Sequence, residues 1–360
     1  MPVFRIDPLT DPRWKTLVAQ HPEASVFHSP AWLQALSRTY GYIPSALTTA
    51  PPHEPLTDGL VFCQVDSWLT GNRLISVPFA DHCQPLVNTD SELTQMLAAV
   101  ADPHKTSGPR YLEIRPTRRI DSALMSLEPG ESFWLHTLAL DVPEKTLTSG
   151  FHQSCVLRKI RRSEREQLSY EEGQSEPLLA AFYRLLTATR LRHGVPVQPI
   201  SWFRNLMACM GDTLKIRVSS HKGRPIAAIL TLTHNDVMVF KYGASDIAAM
   251  NLGGTQALLW RAIQDSRVAG LRRFDLGRTD ADDQGLIQFK DRWGAVKTNV
   301  TYLRHPLNAA AQRSSSLVTR MARQVARRAP QPLLHLAGRA FYGHWAAIAL
   351  TMGASVTDVI

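Results

Sequence analysis

The sequence predicts an α/β (α+β) protein built from two tandem domains of similar plan, followed by a helical tail. The chain has 360 residues, which exceeds the usual size of a single hydrophobic core. Helix-like and strand-like segments alternate along it, and the segment order of the first half recurs in the second without recognisable sequence identity. We therefore expect domains at residues 1–145 and 146–305 and a tail at residues 306–360.

The composition is that of an ordinary globular protein, with 44% apolar and 20% charged residues. The four cysteines form no CxxC pair and no cluster with histidines, which predicts buried thiols in a reducing cytosol rather than a metal site or a disulfide framework. The opening residues, MPVFRIDPLTD, contain acids and two prolines where a secretory signal needs an apolar run. These features predict a cytoplasmic protein without a signal peptide.

The net charge of +9 is concentrated at the C-terminal end. From Arg304 to Ile360 the chain has seven arginines, no lysine and one acid, Asp358, so six of the nine net charges lie there. The rest of the chain is nearly neutral, which argues against a DNA-binding protein that uses its whole surface.

The first half alternates between helices and strands and has no catalytic signature. Helices are predicted at 14–20 and 30–40, the second with Ser29 as N-cap and Pro30 at its first position. The other predicted segments are strands at 45–49, 59–65 and 73–78, a helix at 91–100, and strands at 111–115 and 133–140.

The second half repeats this order. Helices are predicted at 178–192 and 202–210, the latter ended by Gly211. Three strands follow at 214–219, 225–233 and 237–243, then a helix at 255–269 ended by Gly270, and strands at 273–277 and 298–303. A short helix precedes the last strand.

The stretch Arg272–Gly294, RRFDLGRTDADDQGLIQFKDRWG, combines features of a site rim. A short apolar strand closes at Gly277, an acid-rich loop begins at Arg278, and a helical turn carries Phe289 and Lys290. A strand end, a polar loop and a cationic helix together favour a binding site. The alternative is a surface loop that merely joins strand and helix.

Within this stretch, FDLGRT…G…FKDRWG resembles the FD-[FL]-G-R-[ST]…G…FK-x-x-[FW]-G signature of the FemAB-like proteins. These are double-domain members of the GNAT acyltransferase superfamily, including peptidoglycan-bridge aminoacyltransferases and exopolysaccharide-associated relatives. The segment Val156–Tyr170, VLRKIRRSEREQLSY, resembles the family's basic helix, with Gln167 where glycine is usual. The segment Phe182–Pro199, FYRLLTATRLRHGVPVQP, is similar to a third family stretch.

The resemblance implies two GNAT-like domains, of which the second carries the motifs. It also implies an acyl- or aminoacyltransferase that acts on a cell-envelope or exopolysaccharide precursor. Acyl-CoA or aminoacyl-tRNA would be the co-substrate, with no tightly bound cofactor. The alternative from another class is a non-catalytic double-GNAT protein that binds an envelope precursor or an assembly partner.

The loop before the predicted helix at 255–269 indicates which acyl donor the protein can bind. GNAT enzymes hold the CoA pyrophosphate on glycine N–H groups in a pattern R/Q-x-x-G-x-G/A at this place. The chain has MNLGGT from Met250 to Thr255, which keeps Gly253 and Gly254 but lacks the leading cation. We interpret this as a degraded pyrophosphate loop that binds acetyl-CoA weakly; a plain helix start with flexible glycines is the alternative.

Acyl transfer needs removal of one proton and stabilisation of an oxyanion. The family's Phe-Lys pair lines the site, which implies that role for Phe289 and makes Lys290 the catalytic cation. A solvated helix lysine is the alternative. Asp275 is the candidate base, although a strand acid can instead pair with a neighbouring arginine such as Arg278.

Other residues are predicted to bind substrate. Arg278 matches the family arginine and is expected to bind phosphate. Strand alternation sends only one of Lys241 and Tyr242 inward, and Tyr242 is preferred because burying a lysine costs more.

A basic helix contributes two further candidates, Arg158 and Arg162. It is either a solvated face or a cradle for phosphates of a tRNA or of a nucleotide- or lipid-linked sugar. Arg192, beside His193 and before Pro196, lies in a rigid turn near the same cleft.

The tail combines a basic helix at 314–328 with an apolar segment at 333–352 that contains Arg339. An interior arginine argues against a membrane span, and the combination suits peripheral contact with the inner membrane through residues 313–350. Packing of the tail against the second domain is the alternative.

Overall fold

A computed structural model describes residues 2–66, 71–101, 108–121 and 125–307. The predicted tail helices at 314–328 and 333–352, and the membrane contact predicted for 313–350, lie outside the described residues. The chain forms two compact units, one consisting of residues up to Ser132 together with the segment from Val300, the other of Phe133–Asn299. The domain boundary expected after residue 145 stays a prediction.

The first unit opens with helices and strands in nearly the predicted order. Its elements are β1 (Phe4–Ile6), α1 (Pro12–Gln20), α2 (Pro30–Tyr40), β2 (Ile43–Thr48), β3 (Leu60–Val65), β4 (Arg73–Ile75), α3 (Asp90–Val100) and β5 (Tyr111–Ile114). Helix α2 confirms the predicted cap, because the Ser29 side chain accepts a hydrogen bond from the Trp32 N–H and Pro30 begins the helix. Strand β1 was not predicted.

The second unit contains β6 (Glu128–Ala139), which begins in the first unit, and α4 (Glu144–Ser149). Its other elements are α5 (Arg158–Arg165), β7 (Ser169–Gly173), α6 (Glu176–Arg192), α7 (Ile200–Met210), β8 (Leu214–His221), β9 (Arg224–His234), β10 (Val237–Ser245), α8 (Gly254–Val268), β11 (Arg273–Asp280) and α9 (Gln284–Asp291). The last strand, β12 (Val296–Pro306), returns to the first unit from Val300 onward.

The two units share one strand plan. In the first, the order is β1-β2-β3-β4-β5-β12, and only β4 and β5 run parallel. In the second, the order is β6-β11-β10-β9-β8-β7, and only β10 and β11 run parallel. A helix connects the parallel pair in each case, α3 in the first unit and α8 in the second. The predicted tandem α/β architecture is confirmed.

One core of the second unit lies on the strand face that α5 and α8 cover. Helices α5 and α8 bury Ile160 and Leu259 there against Phe240 of β10 and Phe274 of β11. The end of the recognised motif completes this core, because Trp293 is buried with its ring centroid 5.1 Å from that of Phe151. Burial of such large apolar side chains is the main stabilising contribution to the unit.

Two local expectations were wrong. The segment Val156–Tyr170 is not one helix, because α5 ends at Arg165 and Tyr170 lies in the unpredicted strand β7. Gln167, at φ +51, adopts the left-handed conformation that explains the glycine usual at this position. Of the cysteines, Cys63 and Cys83 are buried as predicted, whereas Cys155 and Cys209 are only half-buried.

Candidate active site

The parallel strands β10 and β11 separate after a short paired stretch. Their register covers only the pairs Val237–Arg273, Met238–Phe274 and Val239–Asp275. Beyond these residues each strand continues for several positions without pairing to the other. The result is an opening between two strands at the centre of the unit, which we call the strand gap: residues 240–245 of β10 facing 276–280 of β11.

A β-bulge in each strand lies at the start of this gap. In β10, Phe240 pairs with Thr231 and Tyr242 with Leu230, so Lys241 is the extra residue. In β11, the register with β6 also shifts, between Asp275 and Arg278. Bulges bend a strand and increase its twist, which gives a physical reason for the separation of β10 from β11.

The bulge in β11 centres on Gly277 and stands opposite His136 of β6. Gly277 has φ +74, and its N–H donates a 2.7 Å hydrogen bond to Oδ1 of Asp275. The strand does not close at Gly277, as the sequence suggested, but continues to Asp280. Here the glycine supplies the left-handed residue of a bulge instead of a strand end.

Lys290 lies beneath this bulge. Its side chain is fully buried, and Nζ donates hydrogen bonds to the carbonyl oxygens of Gly277 at 3.0 Å and Arg278 at 2.9 Å. Helix α9 holds it there, starting at Asp283, whose side chain caps the Leu286 N–H at 3.0 Å. The alternative of a solvated helix lysine is therefore wrong, whereas its role in catalysis stays a prediction. Phe289 is half-buried against the core on the same helix.

Tyr242 is buried on the face of the strands that α6 and α7 cover. Its ring packs edge-on against Phe182 and Phe203, with centroids 6.3 and 5.2 Å away. Its hydroxyl oxygen accepts hydrogen bonds from Nε1 of Trp202 at 2.9 Å and Nε2 of Gln198 at 3.2 Å. The segment Phe182–Pro199 thus supplies two residues that hold this tyrosine.

The expectation that only one of Lys241 and Tyr242 points inward was wrong. Both side chains are fully buried, and Lys241 Nζ lies 5.8 Å from the Tyr242 ring centroid. The bulge is the reason, because an extra residue in a strand interrupts the alternation of side chains between its two faces.

Asp275 and Arg278 are both buried, at 3% exposure each. Phe274 and Leu276 belong to the core that α5 and α8 cover, so alternation directs Asp275 to the opposite face, the face on which Tyr242 lies. The Arg278 guanidinium carbon stands 4.1 Å from the centroid of the Phe133 ring, a close cation–π contact. The structure therefore places Asp275 in the last paired position before the strand gap and Arg278 within the gap, and it leaves their roles as predictions.

His136 is a further buried residue at this place, and sequence reasoning missed it. Its Nε2 lies 3.3 Å from Oδ1 of Asp291. Burial lowers the pKa of His136 to about 4, with the Lys290 charge as the next cause and Asp291 opposing both. A single histidine in an alternating strand gives no sequence signal, so only the fold could reveal it.

Three predicted arginines lie on helices and not on the two strands of the gap. Arg158 and Arg162 lie on the outer side of α5, whose inner side packs on the face opposite Tyr242. Arg162 forms a 3.2 Å ion pair with Glu166. Arg192 is exposed at the end of α6, where its Nε donates to Nε2 of His193 at 3.3 Å. The structure thus separates Arg158 and Arg162 from Tyr242, whereas Arg192 lies one helical turn from Thr189, whose hydroxyl donates to the carbonyl oxygen of Ser245 in the strand gap at 3.2 Å.

The predicted donor loop is packed against α5. Gly253 has φ +84, and a Cβ there would lie 2.2 Å from the carbonyl oxygen of Lys159. Nζ of Lys159 donates a 3.1 Å hydrogen bond to the Met250 carbonyl, and a Cβ on Gly254 would approach Ala227 to 3.1 Å. Close backbone packing thus accounts for Gly253 without a bound pyrophosphate.

A central parallel pair joined by one helix, with its strands separating beside the start of that helix, is the strand plan of the GNAT fold. Residues 153–291 match the family model described as "Acetyltransferase (GNAT) domain". The chain is 24% identical over 151 residues to the UDP-N-acetylmuramoylpentapeptide-lysine N(6)-alanyltransferase of Weissella viridescens, a match that covers 41% of this chain and 45% of that protein. The matched segment is therefore less than half of the relative's length.

Three solved structures are similar over most of their length. The crystal structure of FemX has a TM-score of 0.67 at 13% identity, covering 84% of this chain and 97% of that one. The C-terminal domain of a putative lysylphosphatidylglycerol synthetase from Agrobacterium fabrum has a TM-score of 0.56 at 13% identity, covering 83% and 92%. The L-PGS structure from Bacillus licheniformis has a TM-score of 0.54 at 15% identity, covering 89% and 97%.

At these identities the structural likenesses establish the fold. Together with the alanyltransferase match and the motif FDLGRT…FKDRWG, they make the chain similar to the FemAB-like proteins of the GNAT superfamily. No helix within the described ranges is long and apolar enough to cross a membrane.

Proposed function

We propose that this protein transfers an aminoacyl group from an aminoacyl-tRNA to an amine of a cell-envelope or exopolysaccharide precursor on the cytoplasmic side of the membrane. The observation that supports it most directly is the strand gap between β10 and β11, with the buried polar residues Tyr242 and Arg278 on its two strands and Asp275 in the last pair before it. An extended acyl donor can lie in such a gap, since backbone groups there are not engaged by the neighbouring strand. The similarity to the Weissella UDP-N-acetylmuramoylpentapeptide-lysine N(6)-alanyltransferase supports the same reaction class.

The chemistry joins the amine nitrogen to the ester carbonyl carbon and releases the ribose hydroxyl of the tRNA. One proton leaves the amine, and one is added to the departing oxygen, so a single group that accepts and returns a proton suffices. Asp275 is the residue we assign to that shuttle. Tyr242 already accepts two hydrogen bonds, so its own proton is the one it can donate to the oxyanion.

Lys290 has a positioning role in this proposal. Its ammonium group holds the carbonyl oxygens of Gly277 and Arg278, and it thereby fixes the bulge that follows Asp275. Its charge is fully buried and lies at the wall of the gap. We infer that it favours the developing oxyanion through space, because a charge acts over longer distances in a medium of low dielectric constant.

The choice of donor rests on Gly253. In a CoA-dependent GNAT enzyme the glycines before the central helix leave room for the pyrophosphate. Here the Lys159 carbonyl occupies the space next to Gly253, and no cation leads the loop. An aminoacyl ester carries no pyrophosphate, so it has no need of that loop. Arg158 and Arg162 lie away from the gap and take no part in the transfer that we propose.

The second candidate is a non-catalytic protein that binds an envelope precursor. The packed donor loop favours it, because it removes one hallmark of acyl-CoA enzymes. The two candidates differ in a measurable way: the enzyme consumes an aminoacyl-tRNA, whereas the binding protein retains the precursor unchanged.

The test is a transfer assay with the full chain, a mixture of aminoacyl-tRNAs and UDP-N-acetylmuramoyl-pentapeptide or its lipid-linked form, with mass spectrometry of the product. Acetyl-CoA serves as the alternative donor in a parallel reaction. We expect transfer from aminoacyl-tRNA alone. Tyr242→Phe and Asp275→Asn should each lower kcat by about 10²–10⁴-fold. The exposed Lys145→Ala variant is the control and should retain full activity.

Each other outcome selects against the proposal. Transfer from acetyl-CoA would identify a CoA-dependent enzyme. Binding of the precursor without transfer from any aminoacyl-tRNA would identify the binding protein. Full activity of folded Tyr242→Phe and Asp275→Asn variants would show that these two residues do not take part in the transfer.

A further inference from the structure

Helix α5 and the short 3₁₀ helix Ile247–Leu252 form one continuous surface with two kinds of side chain. The two elements touch where Lys159 Nζ binds the Met250 carbonyl and where the Lys159 carbonyl approaches Gly253. We call this the α5 surface: the outer side of Arg158–Arg165 together with Ile247 and Met250. Helix α5 lies on the face of the strands opposite Tyr242.

The α5 side of this surface is basic overall, because its arginines outnumber its one exposed acid, Glu164. Arg158, Arg161 and Arg165 are exposed at helical spacings of three and four, so they lie on one side of the helix. Within the described ranges none of the three forms an ion pair with an acid. Ile160 and Ser163 are buried on the other side, which fixes the orientation of the basic stripe toward solvent.

The neighbouring ridge is apolar. Ile247 is 64% exposed and Met250 is 39% exposed, and both are large aliphatic side chains. A 3₁₀ helix has three residues per turn, so positions 247 and 250 fall on the same side. An exposed aliphatic pair next to a basic helix indicates a surface that binds a partner with both apolar and anionic groups.

We propose that the α5 surface binds the headgroup region of an anionic membrane, with the arginines on lipid phosphates and Ile247 and Met250 inserted among the acyl chains. Basic residues near an anionic leaflet and apolar residues in its interface add their contributions in this way. RNA is the less suitable partner, because an RNA helix such as a tRNA stem is bound through its phosphates and 2′-hydroxyl groups, which leaves the exposed Ile247 and Met250 without a role.

The positive charge of the stripe also argues against binding to residues 308–360 or to a second copy of this chain. Residues 308–360 carry six arginines and one acid, so this segment has the same sign as the basic stripe. A second copy that presented the same surface would bring two basic stripes together. An anionic surface is complementary to the stripe. Binding to such a surface does not depend on whether the chain transfers an aminoacyl group.

The experiment is co-sedimentation of the full chain with vesicles of phosphatidylcholine alone or of phosphatidylcholine mixed with phosphatidylglycerol. We expect binding only to the anionic vesicles, weakening as salt is added. The triple variant Arg158→Gln/Arg161→Gln/Arg165→Gln should bind about 100-fold more weakly, since each basic residue contributes about fivefold. Ile247→Ser/Met250→Ser should bind about tenfold more weakly at unchanged net charge.

Two matched controls separate this surface from others. Lys145→Gln/Arg184→Gln/Lys222→Gln removes the same charge from exposed positions elsewhere, and Val268→Ser removes the most exposed large apolar side chain, at 91%. Both controls should bind vesicles like the unaltered chain. Circular dichroism and thermal unfolding confirm that every variant is folded.

Three results would overturn the proposal. Equal binding by the unaltered chain and by both α5-surface variants would assign membrane contact to another segment, such as 308–360. Equal weakening by the charge-matched control would show attraction without a defined surface. Absence of vesicle binding, together with tRNA binding that the triple arginine variant loses and the Ile247/Met250 variant keeps, would identify a surface for RNA.

Discussion

Lys290 donates a 3.0 Å hydrogen bond from Nζ to the carbonyl oxygen of Gly277, and so joins helix α9 to the bulge in β11. The same ammonium group binds the carbonyl oxygen of the next residue, Arg278, at 2.9 Å. A buried ammonium group is stable only when hydrogen bonds replace its hydration, and these two carbonyls do so. The motif residues Gly277 and Lys290 therefore form one structural unit.

The first prediction concerns the stability contribution of Lys290. From the sequence alone, replacing a helix lysine by alanine would change stability little, but burial reverses that expectation. Lys290→Ala removes two buried hydrogen bonds and leaves a cavity, and should lower the free energy of unfolding by about 2–4 kcal/mol. Urea unfolding followed by circular dichroism measures it.

The exposed Lys145→Ala variant is the control for this prediction and should lie within about 0.5 kcal/mol of the unaltered chain. Lys290→Met fills the cavity but cannot bind the carbonyls, so it should recover only the part of the loss that is due to packing. A Lys290→Ala variant as stable as the Lys145→Ala variant would contradict the buried contacts described above.

The second prediction separates packing from phosphate binding at Gly253. Gly253→Ala places a methyl group against the Lys159 carbonyl oxygen and strains a residue at φ +84, so it should cost more than about 3 kcal/mol. Gly270→Ala is the matched variant, because Gly270 has φ +73 with open space around it. It should cost only about 1 kcal/mol.

Thermal unfolding with acetyl-CoA completes this test. We expect no large increase in melting temperature at modest excess of acetyl-CoA, whereas a hundredfold excess over Kd would stabilise a binder by about 2.7 kcal/mol. A strong shift with acetyl-CoA, or equal costs for the two glycine variants, would favour a working pyrophosphate loop.

The third prediction concerns the pH dependence of stability that His136 causes. Burial lowers its pKa from the ordinary 6.5 to about 4 in the folded chain. Between these values the unfolded chain binds more protons, so stability is complete above about pH 6.5 and falls as the pH decreases toward 4. His136→Gln should remove roughly 1–3 kcal/mol of this dependence.

Urea unfolding at pH 7 and pH 5 measures this contribution as a difference between the unaltered chain and His136→Gln. The groups that face His136 are Lys290, Asp291 and Lys297, and they are present in both proteins. His53→Gln, at an exposed histidine, is the control. An identical pH dependence for His136→Gln and the unaltered chain would show that His136 does not titrate in this range.

Much of the fold follows from local sequence patterns. The N-cap Ser29 and Pro30 mark the start of α2, and hydrophobic periodicity distinguishes most helices from strands. The resemblance of FDLGRT…FKDRWG then indicates the fold as a whole. Short or polar elements such as β1 and β7 were missed, because their pairing with a neighbouring strand, rather than their own pattern, makes them strands.

The candidate site depended far more on tertiary structure. The sequence supplied the candidate residues Asp275, Tyr242 and Lys290, because side-chain type is local information. The fold alone decided that two bulges open the strand gap, that Lys241 is buried beside Tyr242, and that His136 stands opposite Gly277. Such features arise from the register between strands that are distant in sequence, and a register shift reverses which face a side chain takes without leaving a trace in composition or spacing.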